Sequence, residues 1–237
     1  MEYLYAPKED YTFLAGGNVI KHFSGMPSFP VRLTLELFER AYRCIGKEKI
    51  ALYDPCCGSG FSLTVLGMIE QGKIAALYGS DVEPACVEAA SCNVSLVKRE
   101  GLLAAREKLL SKEETSEERR AQLTESVERV LPYLVNPAMH TAVFRHDILD
   151  SPPSAEVLPE KIDCVFADIP YGSMTEWKTA GSCPDPAATF LENVSELLSE
   201  TGVLILCGTK SLKIGSEGFR RRTKFSVGKR LVYFLEK

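Results

Sequence analysis

Five short apolar runs read as strands: KIALYD (49–54), IAALYGSD (74–81), TAVFRHD (141–147), IDCVFAD (162–168) and GVLILCGT (202–209); four of them end in an acid. Helix-like segments separate most of them. FSLTVLGMIEQG follows the first run, EPACVEAASCNVSLV follows the second, and ATFLENVSELLSE precedes the fifth. Strands alternating with helices cross over right-handedly and build a parallel sheet, so the chain predicts an α/β protein. In such a sheet ligands sit beyond the carboxyl ends of the strands, where strand order reverses. The terminal acids therefore face the ligand side.

Two stretches depart from the alternation. Half of residues 98–129 are charged, which leaves Leu102, Leu103, Leu109, Leu110 and Leu123 as one narrow apolar stripe. That pattern predicts a helical hairpin broken near Glu113–Ser116, acting as a solvated scaffold or an oligomer contact. The tail FRRRTKFSVGKRLVYFLE predicts an antiparallel hairpin turning at Val227-Gly228-Lys229 and closing the sheet edge. The first 46 residues read as a helix-rich extension, with LTLELFERAYRCIG (33–46) its clearest helix and Pro30 near the start. No repeat or linker interrupts the chain. We expect a single domain over 1–237, with the extension at 1–46, the helical insertion at 97–131 and basic strands at 210–237.

No run approaches the ~18 apolar residues of a spanning helix, and MEYLYAPKEDYTF lacks the pattern of a secretory signal. Eight scattered cysteines without a C-x-x-C pair predict reduced core thiols of a cytoplasmic protein. The three histidines show no ligand spacing, so no metal is expected. The net charge of −4 hides an asymmetry: residues 210–237 carry nine Lys/Arg against two acids, leaving −11 on the remainder. A basic end on an acidic body suits a polyanionic partner; the same charges would also protect an edge strand from pairing.

The stretch DPCCGSGFSL (54–63) follows the first strand. A dinucleotide fingerprint needs a third glycine where Leu63 stands, and a phosphate loop needs Gly-Lys-Ser/Thr, which is absent. What remains is a strand ending in Asp54 and a turn lined by Gly58 and Gly60. An acid suits an ammonium group, and glycines suit a nucleoside lying against backbone. Asp81 closes the next strand, where a carboxylate accepts both hydroxyls of a ribose. S-adenosylmethionine, with a nucleoside, a free amino acid and no phosphate, meets all three demands. Asp147, at the end of the third run, could face the adenine amine or cap a following turn.

The fourth run ends in Asp168-Ile169-Pro170-Tyr171. Methylating a ring or exocyclic nitrogen with a delocalised lone pair requires acceptors for its hydrogens. Asp168 and a neighbouring carbonyl provide them, Pro170 fixes the turn, and Tyr171 offers a stacking face. A C5-pyrimidine enzyme needs a nucleophilic cysteine beside proline, but position 171 is Tyr and Cys56 and Cys57 lie in the cofactor turn. Trp177 is placed either to cover a flipped base or to pack.

The stretches FPVRLTLELFER (29–40), DPCCGSGFSLTVLGMI (54–69), SDVEPACVEAASCNVSL (80–96) and ADIPYGSMTEWKTAG (167–181) resemble the class I S-adenosylmethionine-dependent methyltransferases. Within that class the chain is similar to the AviRa-type rRNA guanine methyltransferases of avilamycin resistance. The resemblance implies a doubly wound, mostly parallel, seven-stranded Rossmann-like sheet whose last strand is antiparallel. It also implies S-adenosylmethionine-dependent methylation of a guanine nitrogen, N1 or N2, in 23S rRNA. Asp54, Gly58 and Gly60 would then line the methionine moiety, Asp81 the ribose and Asp147 the adenine. Pro55, Cys56, Ser59, Val82 and Ile148 complete the expected cofactor contacts. Asp168, Ile169, Pro170 and Tyr171 would receive the base, with Arg32, Trp177, Lys210, Lys213, Arg220, Arg221, Arg222 and Lys224 toward the RNA. The same pocket could serve N-methylation of a protein or small molecule. A non-catalytic RNA-binding factor with a vestigial site is the other alternative, and the intact Asp168–Tyr171 turn argues against it.

Overall fold

The computed structural model describes residues 2–169, 177, 183–209, 218–228 and 230–237. The expected Pro170, Tyr171, Lys210 and Lys213 lie outside the described residues. Seven described strands form one sheet: β1 (Ile50–Asp54), β2 (Ile74–Asp81), β3 (His140–Arg145), β4 (Ile162–Asp168), β5 (Leu198–Thr209), β6 (Arg220–Val227) and β7 (Arg230–Glu236). Their order is β3-β2-β1-β4-β5-β7-β6. β1 to β5 pair in parallel, and β7 runs antiparallel between β5 and β6. The resemblance implied this fold, and the sheet has it.

Sequence order reverses on either side of β1, the switch point where ligands collect in such sheets. Asp81, Asp54 and Asp168 end the three adjacent strands there. The third run ends earlier than expected. β3 stops at Arg145, and Asp147 falls in a turn closed by the Asp150 amide on its carbonyl at 3.1 Å.

Helices cover both faces. On one lie α1 (Thr12–Ala15), α2 (Val31–Ile45), α3 (Phe61–Ile69), α4 (Pro84–Val94), α5 (Arg99–Leu110) and α6 (Glu117–Val130). They pack on Leu52, Leu77, Phe166, Ile205 and Phe234. On the other, α7 (Pro186–Leu197) and residues 148–158 cover Tyr53, Tyr78, Val165, Leu204 and Tyr233. The alternation of period two along each strand sends successive side chains to opposite cores. Local chemistry sets the helix ends. α2 starts after Pro30 and stops at Gly46 in the left-handed region (φ 71°). The Asp185 side chain caps α7 by accepting the Ala188 amide, and Ser116 caps α6. Among the described residues no helix is long and apolar enough to cross a membrane.

The helix-rich extension is less helical than expected: before α2 it holds only the single turn of α1. A buried acid holds its first residues instead. Glu36 in α2, 0% exposed, accepts the amides of Leu4, Tyr5 and Ala6 at 3.0, 2.8 and 2.9 Å and Arg40 Nε at 2.7 Å. The next stretch leans on α6, where Asn18 donates to Ser126 Oγ and Arg129 donates to the Asp10 carbonyl at 2.7 Å. Arg129 also stacks on Phe13 at 4.2 Å. The charged helical pair is therefore a buttress, with Leu102, Leu123, Val127 and Val130 buried beneath it.

Burial pushes the Glu36 carboxyl up, but the three amides and Arg40 outweigh it and hold it below its ordinary 4.5. A depressed folded value contributes stability above the unfolded value, and that contribution is lost as pH falls through the folded one. Glu36→Ala removes the carboxylate acceptor of the buried Ala6 amide, of the part-buried Leu4 and Tyr5 amides and of Arg40, a loss of about 3 kcal/mol. At pH 7 its melting temperature is expected to fall by about 6–12 °C, with the gap narrowing below pH 4.5. Unchanged calorimetric melting at pH 7 would show that Glu36 does not hold the segment.

Candidate functional site

The loop from Asp54 to Gly60 is built by three local features. Asp54 Oδ1 accepts the Cys56 amide at 3.0 Å, turning the chain as it leaves β1. The Cys57 amide donates to the Ser80 carbonyl of β2, and the Gly58 amide donates to Asp81 Oδ2, both at 2.9 Å. Gly58 and Gly60 have φ of 52° and 67°, the region where a side chain strains the backbone. The two glycines differ in what they do. A Cβ on Gly58 would meet nothing within 4 Å, so only its conformation needs glycine. A Cβ on Gly60 would stand 3.0 Å from both Cα and Cβ of Ala90, so this glycine lets α3 approach α4.

Above the loop opens a cleft of about 410 Å³, within the ~300–1,000 Å³ of small-molecule sites. Asp54, Pro55, Cys56, Gly58 and Ser59 line its floor. Asp81 and Val82 line one side, and Asp147 and Ile148 extend that wall. Asp168, Ile169 and Trp177 close the far side. Trp177 packs on Phe190 with centroids 5.8 Å apart, so it both lines the cleft and joins the core. Asp147 also does both: it lines the cleft, and its Oδ1 accepts the Leu149 amide at 3.0 Å.

The remaining expected residues stand elsewhere. Gly60 lies behind the loop against Ala90 and does not line the cleft. Arg32 donates from Nε to the Ala6 carbonyl at 3.2 Å and stacks on Tyr3 at 4.1 Å, which ties down the N-terminal segment. Arg220, Arg221, Arg222 and Lys224 sit on the edge strand β6. The register pairs Arg220 with Glu236 and Glu236 with Val203, so the strand starts at the end of the sheet opposite the cleft. Arg220 and Arg222 are both ion-paired to Glu236 there, and Lys224 covers the Tyr233 ring at 5.1 Å.

Sequence reasoning missed two parts of the wall. Met26, Pro27 and Phe29 bring the N-terminal segment over the cleft. Asn93 in α4 stitches that segment down by bonding the Lys21 amide and carbonyl and the Ser59 carbonyl, all at 2.9–3.0 Å. Arg230, the first residue of β7, also lines the cleft, with Nε 3.8 Å from Asp168 Oδ2. An asparagine in a helix and an arginine in a basic tail carry no local signal of these roles.

The electrostatics favour a cation over an anion. Asp54, Asp81, Glu83, Asp147 and Asp168 line the cleft against one described guanidinium, that of Arg230. Burial pushes the Asp54 carboxyl well up, the Cys56 amide opposes this, and the charges of Asp81 and Asp168 add to the rise. Burial also raises Asp81, against the Glu83 and Gly58 amides. Such a field repels phosphates and is relieved by a cationic ligand. The sulfonium and ammonium of S-adenosylmethionine fit that donor set, and a pyrophosphate does not. Burial raises the Cys56 and Cys57 thiols well above their usual range, which keeps them protonated and poor nucleophiles. Among the described residues no group of His, Cys, Asp and Glu could hold a metal ion.

The sequence profile of the rRNA methyltransferase AviRa family matches residues 1–230. The chain is 33% identical over 230 residues to the 23S rRNA (guanine(2535)-N(1))-methyltransferase of Streptomyces viridochromogenes, covering 93% of this chain and 90% of that enzyme. The solved structure of the rRNA methyltransferase aviRa from the same organism superposes with a TM-score of 0.86 at 30% identity, over 100% of this chain and 96% of that one. TrmN from Thermus thermophilus, at 16% identity and a TM-score of 0.55 over 90% of this chain and 51% of its own, shares the fold.

A buried aspartate with a raised folded value keeps a proton that the unfolded chain releases. Its ionisation therefore costs stability as pH rises from the ordinary 3.8 through the folded value. Asp54→Asn keeps an oxygen for the Cys56 amide and removes that cost. In the free protein it is expected to raise the melting temperature at pH 8, at about 2–4 °C per kcal/mol relieved. The gain should shrink as pH falls toward 3.8. A lower melting temperature at pH 8, followed by circular dichroism, would refute the assignment of Asp54 as a strained charge.

Proposed function

The chain belongs to the AviRa family of rRNA methyltransferases, and from that premise we propose that it transfers the methyl group of S-adenosylmethionine to N1 of a guanine in 23S rRNA. The observation that carries this reading is that Asp168, closing β4, opens into the same cleft as Asp54 and Asp81 on the neighbouring strands. A base entering over Asp168 meets a cofactor lying across Asp54 and Asp81. The name of the Streptomyces relative favours N1 over N2.

On this reading Asp54 and the backbone of Gly58 and Ser59 hold the amino-acid end of the cofactor. Asp81 takes the ribose hydroxyls. Its oxygens already accept the Gly58 and Glu83 amides, at 2.9 and 3.0 Å, and the Cys86 thiol, a weak donor that a ribose hydroxyl can replace. Asp147 and Ile148 neighbour the adenine. When bound, the cofactor supplies an activated methyl group whose bonding pair stays with sulfur as it leaves. Asp168 accepts the proton of guanine N1, freeing the nitrogen pair that takes the methyl carbon. Ile169, buried behind it, keeps that carboxylate on the rim of the sheet. Tyr171 and Trp177 would flank the base, and Arg221 and Lys224 would meet phosphates along the exposed edge strand. The protein acts in the cytoplasm, where its RNA substrate is.

Incubation of unmodified 23S rRNA with labelled S-adenosylmethionine, then nuclease digestion and mass spectrometry, is expected to yield 1-methylguanosine at a single position. Label in protein, or on N2, would overturn the reading. Asp168→Asn should lower kcat by about 10²–10⁴, the range for a lost general base, while cofactor affinity by calorimetry stays within about threefold, since that change is under 1 kcal/mol.

A further inference from the structure

We propose that Arg230 reads O6 of the target guanine and stabilises the negative charge that gathers there as N1 gives up its proton. The inference rests on the N1 reading above and adds a residue that the motifs do not contain.

The sheet register puts Arg230 at the cleft. Asp168 pairs with Cys207 and Cys207 with Val232, forming one rung across β4, β5 and β7. Arg230 pairs with Thr209, two residues further toward the ligand side. It shares a sheet face with Val232 and Phe234, the face that Phe29 packs against. Its guanidinium lies over the Phe29 ring at 4.8 Å, and Phe29 is itself held edge-on against Phe166. An arginine at the start of a basic hairpin is thus fixed on a rigid aromatic platform inside an acidic cleft.

Its hydrogen bonding is incomplete. Nε stands 3.8 Å from Asp168 Oδ2, close enough for attraction and too far for a hydrogen bond. That buried Nε has no hydrogen-bond partner among the described residues. Native structures satisfy nearly all buried donors, and an exception points to a missing partner. The contact is also not the bidentate fork that arginine makes with carboxylates for structure alone.

Guanine fits the pair. Its N1–H and O6 lie side by side, a donor for Asp168 and an acceptor for Arg230. Adenine offers the reverse, an acceptor at N1 and an amine at position 6, and would set donor against donor. When the N1 proton passes to the Asp168 carboxylate, the pair left on N1 is shared with O6 until N1 binds the methyl carbon. A donor already in place where charge develops contributes without reorganisation at the moment of reaction.

The test separates reading O6 from merely steadying Asp168. A 23S rRNA fragment carries guanine, inosine or 2-aminopurine at the methylated position and is titrated, with S-adenosylhomocysteine present, against wild type and Arg230→Gln. Inosine keeps O6 and 2-aminopurine lacks it. Both proteins lose the Asp168–N1 contact with 2-aminopurine, so comparing them isolates Arg230. Arg230→Gln should lose affinity for the 2-aminopurine RNA only through the Asp168–N1 contact, and wild type about tenfold more than that, one further charged hydrogen bond; inosine, which keeps N1–H and O6, should bind each protein about as guanine does. Turnover of the guanine RNA by Arg230→Gln should fall in kcat by about 10²–10³, beyond a rise in KM of up to about tenfold from the lost ground-state contact. Its rate should also keep rising to higher pH than that of wild type, because N1 must ionise unaided. Arg230→Lys, which keeps the charge, should recover part of the rate, and it stands in if the glutamine protein fails to fold. A 2-aminopurine penalty as large in Arg230→Gln as in wild type, or an Arg230→Gln kcat within threefold of wild type, overturns the role of Arg230. Wild type that makes no 1-methylguanosine overturns the underlying reading instead.

Discussion

Asp81, Asp54 and Asp168 end three adjacent parallel strands, and the cost of holding three carboxylates together at one edge of a sheet shapes the molecule. Parallel strands all point the same way, so acids at their carboxyl ends converge. Asp54, 5% exposed, bears the cost most visibly, since burial and its two neighbours push its carboxyl up together. Part of the cost is offset by backbone: the Cys56, Gly58 and Glu83 amides all point at carboxylate oxygens. The rest is left for a ligand. A cleft that is strained when empty and relieved by a cation binds the cation more tightly for that strain.

The cleft roof depends on parts of the chain remote from the acids. Residues 26–29 reach over it only because the segment before α2 is held at several points. Glu36 fixes residues 4–6, α6 fixes residues 10–18, and Asn93 fixes Lys21 beside the glycine loop. The charged hairpin α5–α6 therefore belongs to the site at one remove. It holds the N-terminal segment that holds Phe29, and Phe29 carries Arg230.

Alternation and strand-end acids were enough to read the sheet and to bring Asp54, Asp81 and Asp168 to the same end of it. Those signals are local, since a strand, its last residue and the turn that follows lie within ten residues. The misses are those where the partner is distant in sequence. Gly60 looks like a cofactor contact because it sits two residues after Gly58, yet its neighbour is Ala90 on α4. Arg220 and Arg222 look like free cations until the antiparallel register brings Glu236 beside them. Arg230 is indistinguishable in sequence from the rest of the basic tail. Only its pairing with Thr209 separates it, by putting it at the cleft end of the sheet while Arg220 falls at the other.

A polyanion must nevertheless bring one of its bases into an acidic cleft, and the charge layout makes that consistent. Phosphates are repelled by Asp54, Asp81, Glu83, Asp147 and Asp168, so the backbone stays outside; a base is neutral and can enter once it is turned out of its stack. The field thus acts as a filter that admits the part of the RNA to be modified and rejects the part that carries the charge. The exposed cations of β6 lie on the far edge of the sheet, where phosphates can be met without entering the cleft. Arg230 stands between these regions, the one described guanidinium among the acids. A full positive charge there does less for a neutral base at rest than for an anion. It gains its purpose when the base becomes an anion, which in guanine happens only as N1 loses its proton.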